Sequence, residues 1–497
     1  MAPCSQIDPL GAATAAALAH AARAAPRHFE ELAEFCRFPS VSAQPARAGD
    51  VAACARWLTR RLRRAGLVQA RLIETARHPV VFGAWRGRPA APTVLIYGHY
   101  DVQPAEPLRE WTRPPFAPHW RNGRLYARGA SDDKGQVFAH LCALEALFAA
   151  ANGPPVNVLC LFEGEEEIGS PDLAAFLASE RPSLAADCAV ISDTGLPAAH
   201  IPAVTYSLRG YLNVEMELAG PSRELHAGVF GGVLRNPLEA ACDVAAALHD
   251  AQGRIAVPGI YDGVAPVSSA ERAAMRLHGP ADATLLHDAG DAAPWGEPGF
   301  SAYERSTLRP SLSVVGISGG YDGPGVKDAI PPRASLKLDI RLAPGQDPTR
   351  IGDAVRDHLL HLAPPDLSAH ARVVAQALPY SGARDSPPGR AAARAYARVF
   401  GRKPRLLRNG GTVPAAGLFQ SRLGLPVVLM GFGTPQDNIH GPNESIAADM
   451  FRRAVATSIC FLEEIARSPH GRGDRPGASS APDGRPLRRE APLWRNA

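Results

Sequence analysis

The feature that most constrains this chain is a set of apolar runs that stop abruptly at histidine or acid. Val94–Gly98 runs into His99-Tyr-Asp101, Val156–Phe162 into Glu163-Gly-Glu165-Glu166-Glu167, and Cys188–Ser192 into Asp193. Short apolar runs bounded by glycine or turn residues read as strands buried on both faces, the habit of parallel sheets. A further strand is expected at Val80–Ala84, and helical periodicity appears at Ala12–Ala25, Phe29–Phe38, Val51–Ala65, Gly135–Ala150 and Leu173–Ser179. Strands alternating with helices predict an α/β sheet with helices on its faces, whose sites form at the carboxyl ends of the strands.

The pattern changes near residue 205. Ala203–Leu218 alternates apolar and polar residues as a half-exposed strand does, and the helix candidate Pro237–His249 follows. A Pro/Gly-rich stretch over about 253–305 reads as irregular. Strands at Ser311–Val315, Ala334–Leu342 and Ala371–Ala375 surround a helix at Pro348–Leu362. The α/β pattern resumes with helix Pro388–Phe400, strand Pro426–Gly431 and helix Ser445–Ala466. The expected organisation is therefore a metal-binding catalytic α/β domain in two parts, 1–204 and 387–467. A smaller α+β lid or dimerisation domain, 205–386, is inserted between them, and a Gly/Pro/Arg-rich tail, 468–497, is expected to be disordered.

Bulk properties remove several function classes. A formal net charge of +4 on 497 residues leaves no footprint for nucleic acid. No uncharged apolar stretch approaches the ~18 residues of a membrane span, and Ala12–Ala25 lacks the basic-then-apolar order of a signal peptide. The eight cysteines form no CxxC pair and several lie inside apolar runs, so buried free thiols in the cytoplasm are expected.

The strand ends carry the chemistry. His99 and Asp101 are two residues apart on extended backbone and face the same side. Asp132 and Asp133 precede the helix at Gly135. One of them could cap it, but two adjacent acids call for a cation. The packed acids of Glu165–Glu167 repel one another, so at least one takes a proton or a metal. Asp193 follows a strand, and Asn438-Ile-His440-Gly-Pro-Asn-Glu444 precedes a helix. Two histidines with several carboxylates and no thiolate form a mixed nitrogen and oxygen ligand set, suited to Zn²⁺ or Mn²⁺. Together the five segments point to a hydrolytic metal centre. No Gly-x-Ser-x-Gly elbow supports a nucleophilic serine hydrolase.

These motifs resemble the M20 metallopeptidase family over roughly residues 30 to 465. The resemblance is to the carnosinase-like dipeptidase branch through His99-Tyr-Asp-Val-Gln-Pro104, Gly129-Ala-Ser-Asp-Asp-Lys-Gly135 and Leu225-His226-Ala-Gly-Val-Phe-Gly-Gly232. It implies two divalent metal ions, zinc first with manganese or cobalt as alternatives. Asp132 would bridge them, with His99 and Asp193 completing one site and Glu167 and His440 the other. It further implies that Asp101 orients His99, that Glu166 is the general base, and that the Asp132–Asp133 peptide is cis. The division of labour within Glu165–Glu167 rests on this resemblance and not on spacing.

The resemblance also implies a homodimer in which His226 reaches the partner's site to stabilise an oxyanion. Arg341 would grip a substrate carboxylate beside a loop of Asn409, Gly410, Gly411 and Thr412. Dipeptidases of this type often have Arg-Glu-Gly-Gly-Ser where this chain has Arg408-Asn409-Gly-Gly-Thr412, which removes a negative charge that would favour a cationic substrate group. The implied activity is hydrolysis of dipeptides or short peptides by a metal-activated water. The alternative is an amidohydrolase of N-acyl amino acids. A non-catalytic binding protein with the same fold would have lost a ligand or the base, whereas every one of those positions is filled here.

Overall fold

A computed structural model describes residues 10–468, and the expected tail lies outside them apart from Ser468. A nine-stranded sheet runs in the order Arg71–Ile73, Val80–Trp85, Asn157–Glu163, Thr93–His99, Cys188–Ile191, Val427–Leu429, Ala203–Leu208, Tyr380–Ser381. Its ninth strand, Arg405–Asn409, also pairs with Ala203–Leu208. The four strands from Asn157–Glu163 to Val427–Leu429 are mutually parallel, and every residue in them is buried. That burial is why they read as unbroken apolar runs. Helices Ala12–Cys36, Ala48–Arg64, Lys134–Ala151, Pro387–Phe400 and Ala448–Arg467 pack on one face. Leu173–Ser179 and Pro414–Leu418 pack on the other.

A second sheet of four antiparallel strands, Ser311–Gly319, Arg333–Leu342, Gly210–Ala219 and Ser368–Ala377 in that order, carries helices Pro237–Ala247 and Pro348–Leu362 on one face. Gly210–Ala219 alternates buried and part-exposed residues along its length, as a sheet covered on one side requires. The chain passes from the large sheet to the small one at Arg209. It returns at Tyr380–Ser381, which pairs antiparallel with Ala203–Leu208.

Four local expectations change. Ala12–Cys36 is one helix running through Pro26. The interior proline costs about 3 kcal/mol, offset by Ala21, Ala25, His28 and Leu32 buried on either side of it. The stretch Ala203–Leu218 is two strands in two sheets. The region read as irregular holds helices Ser269–His278, Asp282–Asp288 and Ala302–Leu308, the last with a Ser301/Glu304 capping box. The final helix starts at Ala448, because Ser445–Ala447 pairs as a strand with Arg124–Tyr126.

One buried charge network ties three helices beneath the large sheet. Arg61, 1 % exposed, donates to Glu31 at 2.9 Å and to Glu145 at 2.5 Å. Its guanidinium also lies over the Phe138 ring. Removing one partner of a buried pair strands the other charges in a low-dielectric site, which costs about 3–5 kcal/mol. Arg61→Leu is therefore expected to lower stability by about that amount. A lower midpoint in denaturant unfolding of the full chain checks it, and an unchanged midpoint would remove the network from the account of stability.

Candidate metal centre

Three neighbouring parallel strands bring their carboxyl ends to one place. Thr93–His99 ends in His99, the loop after Asn157–Glu163 carries Glu165–Glu167, and Asp193 lies two residues beyond Cys188–Ile191. Asp132 comes from the turn before Lys134–Ala151, and His440 from a loop near the final helix. Gly98 has a direct reason. A Cβ there would lie 2.4 Å from Val137 Cγ2 and 2.6 Å from Asp133 Oδ2. Only glycine lets the helix start press against the strand, where Asp133 accepts from the His99 amide at 3.2 Å.

Asp132 is the hub. Its Oδ1 lies 3.1 Å from His99 Nε2 and its Oδ2 lies 2.9 Å from His440 Nε2. Asp193 flanks the first imidazole at 3.8 Å and Glu167 flanks the second at 3.4 Å. Glu166 reaches within 4.0 Å of His99 Nε2. The ligand atoms of His99, Asp132 and Glu167 lie within 4.8 Å of one another, as do those of His99, Glu166 and Asp193. The Asp132–Asp133 peptide is cis.

Asp101 faces the other side of His99, with its main-chain oxygen 3.1 Å and its carboxylate 3.3 Å from Nδ1. That neighbour directs the Nδ1 proton away from the centre and leaves Nε2 free to accept a cation. The same carboxylate accepts from Ser42 Oγ and from the amides of Glu166 and Glu167, so it also sets the acidic turn. Within that turn Glu165 points away, accepting from the amides of His78 and Asp172. Glu166 and Glu167 face the cavity.

Buried acids outnumber the imidazoles. Burial lifts Glu166 and Asp133 well above the ordinary carboxylate range, with Asp193 repelling both. One oxygen of Asp133 is buried without a partner. Hydrogen bonds to Asp132 and Glu167 lift His440 to about 10, and burial followed by Asp132 lifts Asp193 to about 7. A nitrogen and oxygen donor set carrying this excess of negative charge fits divalent cations, which His99, Asp132, Asp193, Glu167 and His440 could hold.

Several residues that support the centre escaped the sequence reading. Glu444, fully buried, accepts from Arg128 at 2.9 Å and from the amides of Gly129, Ser131 and Asp132 at 2.8, 2.8 and 3.0 Å. Arg128 then donates to the main-chain oxygens of Pro104 and His440. The pair thus joins the loops of Asp101, Asp132 and His440. Gln103 clasps Glu167 through both its amide and its side chain. The available signal was the acid four residues beyond His440, but its partners are mostly backbone amides and leave no mark in sequence.

The acids and His440 open onto a cavity of about 1040 Å³, which Arg341, Asn409, Gly410, Gly411 and Thr412 also line. Arg341 is paired with Asp339 at 3.0 Å. Asn409 Oδ1 accepts from the Gly411 amide, and Thr412 Oγ1 donates to the Arg209 oxygen. His226 is elsewhere. It lies exposed on the small domain, its Nδ1 accepting from the Gly228 amide at 2.9 Å, and it does not line this cavity.

Asp193 and His440 hold their protons more tightly folded than unfolded, where 3.8 and 6.5 are the ordinary values. The stability they contribute is present below those values and is lost as pH rises through about 7 and about 10. The thermal midpoint of metal-free protein is therefore expected to fall from about pH 5 to about pH 9. A divalent cation is expected to flatten that fall and to release protons on binding, measured by calorimetry in buffers of different ionisation heat. A metal-free midpoint that climbs across this range would contradict the electrostatic picture.

The profile of peptidase family M20/M25/M40 matches residues 95–464. The Cys-Gly metallodipeptidase dug1 of Schizosaccharomyces pombe is 32% identical over 401 residues, covering 78% of this chain and 83% of that protein. The Beta-Ala-His dipeptidase of Homo sapiens is 34% identical over 399 residues, covering 78% of each. The solved structure of the di-peptidase Dug1p from Saccharomyces cerevisiae superposes with a TM-score of 0.82 at 26% identity, covering 92% of this chain and 99% of that one.

Proposed function

The chain belongs to peptidase family M20/M25/M40, and from that membership and the geometry of the centre we infer that it is a metal-dependent dipeptidase. The observation that carries the reading is Asp132, whose two carboxylate oxygens face two different histidines at 3.1 and 2.9 Å. A carboxylate so placed suits a bridge between two cations, with His99 and Asp193 on one side and Glu167 and His440 on the other. Zinc is the first choice for this donor set, and manganese or cobalt would also fit it. When bound, such a pair polarises a scissile carbonyl and lowers the pKa of water at neutral pH.

Glu166 moves the proton. Burial lifts its carboxylate above the ordinary glutamate value, which makes it a stronger base than an exposed glutamate. It takes the proton of the attacking water and delivers it to the leaving amine. Asp101 keeps that base in register through the Glu166 amide at 3.2 Å. Arg341 and the Asn409–Thr412 loop take the substrate's carboxylate. Six buried free thiols among the described residues support a reducing, cytoplasmic setting.

The working form is a homodimer. Ser311–Gly319 is an edge strand of the small sheet and exposes Val314, Val315 and Ile317, an apolar edge of the kind that pairing with a second copy would cover. His226, exposed on the same domain, then completes the partner's site by stabilising the oxyanion.

Glu166→Gln is expected to retain metal by elemental analysis while kcat falls about 10²–10⁴-fold. Retained turnover would remove Glu166 from the proton path. A panel of dipeptides against N-acetyl and N-succinyl amino acids tests the substrate class, and turnover of the acylated compounds alone would make the protein a deacylase. Mixing Glu166→Gln with His226→Ala is expected to restore activity that neither variant has alone, because a mixed dimer holds one site with both groups. Failure to restore it in proven mixed dimers would remove His226 from the partner's site.

A further inference from the structure

Arg209 occupies the single position between the last strand residue in the large sheet, Leu208, and the first in the small one, Gly210. It holds the loop after Arg405–Asn409 from behind by three bonds. Its amide donates to the Gly411 oxygen at 3.1 Å, its Nε donates to the Gly410 oxygen at 3.1 Å, and its own oxygen accepts from Thr412 Oγ1 at 2.7 Å. The loop is pressed against it. A Cβ on Gly410 would come 3.2 Å from Arg209 Nη2 and 2.5 Å from the Ser306 oxygen, so only glycine fits there.

The charge on this guanidinium has no acid of its own. Nη1 donates to Ser311 Oγ at 3.1 Å, and no ion pair to an Asp or Glu forms among the described residues. Asp339, the acid whose field acts on it, is taken by Arg341 at 3.0 Å. Burial and then repulsion by Arg341 pull Arg209 down to about 10, a sign of two cations sharing one anion. Arg209 behind the loop and Arg341 on the cavity wall share one aspartate, which leaves a net positive charge around a loop that lines the cavity. A desolvated positive charge of this kind attracts an anion from the cavity.

We propose that Arg209 is a positioning residue for substrate selection: it fixes the Gly410–Thr412 loop and supplies the unneutralised charge that, with Arg341, selects peptides ending in a free carboxylate over those ending in an amide. This rests on the dipeptidase reading above. A second arginine, behind the loop, makes carboxylate recognition a property of the sheet-to-sheet crossing.

The test compares wild type, Arg209→Gln and Arg209→Lys on a dipeptide and its C-terminal amide, with kcat and KM measured separately. Glutamine keeps a donor without the charge and lysine keeps the charge. Wild type is expected to prefer the acid, and Arg209→Gln to cut the acid-to-amide ratio of kcat/KM about 10- to 100-fold, chiefly through KM. Arg209→Lys is expected to recover most of that ratio. If both variants lower acid and amide turnover in the same proportion, Arg209 is only structural and the proposal fails. Calorimetric binding of a free amino acid and its amide to the metal-loaded protein reads the same discrimination without turnover. A wild type that binds with this preference yet hydrolyses neither peptide overturns the dipeptidase reading and leaves Arg209 standing.

Discussion

The centre of this molecule is organised by repulsion. Asp132, Asp133, Glu166, Glu167 and Asp193 converge where burial penalises each negative charge, and among the described residues the imidazoles of His99 and His440 are there to meet them. Such a cluster persists in a folded chain only if surrounding structure holds it and a cation or protons relieve it. The parallel sheet provides the first condition. Its buried strands fix where the acidic turns begin, and the carboxylates of Asp101 and Glu444 then hold those turns through backbone amides. The supporting acids therefore do a different job from the ligand candidates they resemble in composition.

Much of this was legible in the sequence, because parallel strands buried on both faces have a distinctive apolar signature and ligand-type residues stand directly after them. The residues His99, Asp132, Glu167, Asp193 and His440, scattered along the chain, come together around one carboxylate. What was not legible has a common physical cause. Glu444, Arg128 and Arg209 act on main-chain atoms of distant loops, and a backbone amide looks alike in every residue. The passage between sheets at Arg209 left no trace either, since apolar and polar residues continue to mix across it. In 253–305 the prolines and glycines outweighed the capping serines at 268 and 301, which mark two real helix starts.

The helices of that segment shape one wall of the cavity. Tyr303 both donates to the Arg408 oxygen and accepts from the Arg408 amide, and Glu271 holds the Arg408 guanidinium. Arg408 directly precedes the loop that Arg209 supports. The loop is thus gripped on one side by the crossing between sheets and on the other by inserted helices. A change in how the inserted segment sits would be felt first at the loop of Asn409–Thr412 on the cavity wall.

The buried bond between Arg128 and Glu444 has a consequence for how the protein comes into being. The turn carrying Asp132 is held by a carboxylate more than three hundred residues further along the chain. A nascent polypeptide can complete the sheet strands around His99 and Glu163 well before residue 444 leaves the ribosome. The turn that carries Asp132 therefore meets its Glu444 partner only after nearly nine-tenths of the chain has been made, so the two halves of the large sheet share one late-arriving clasp.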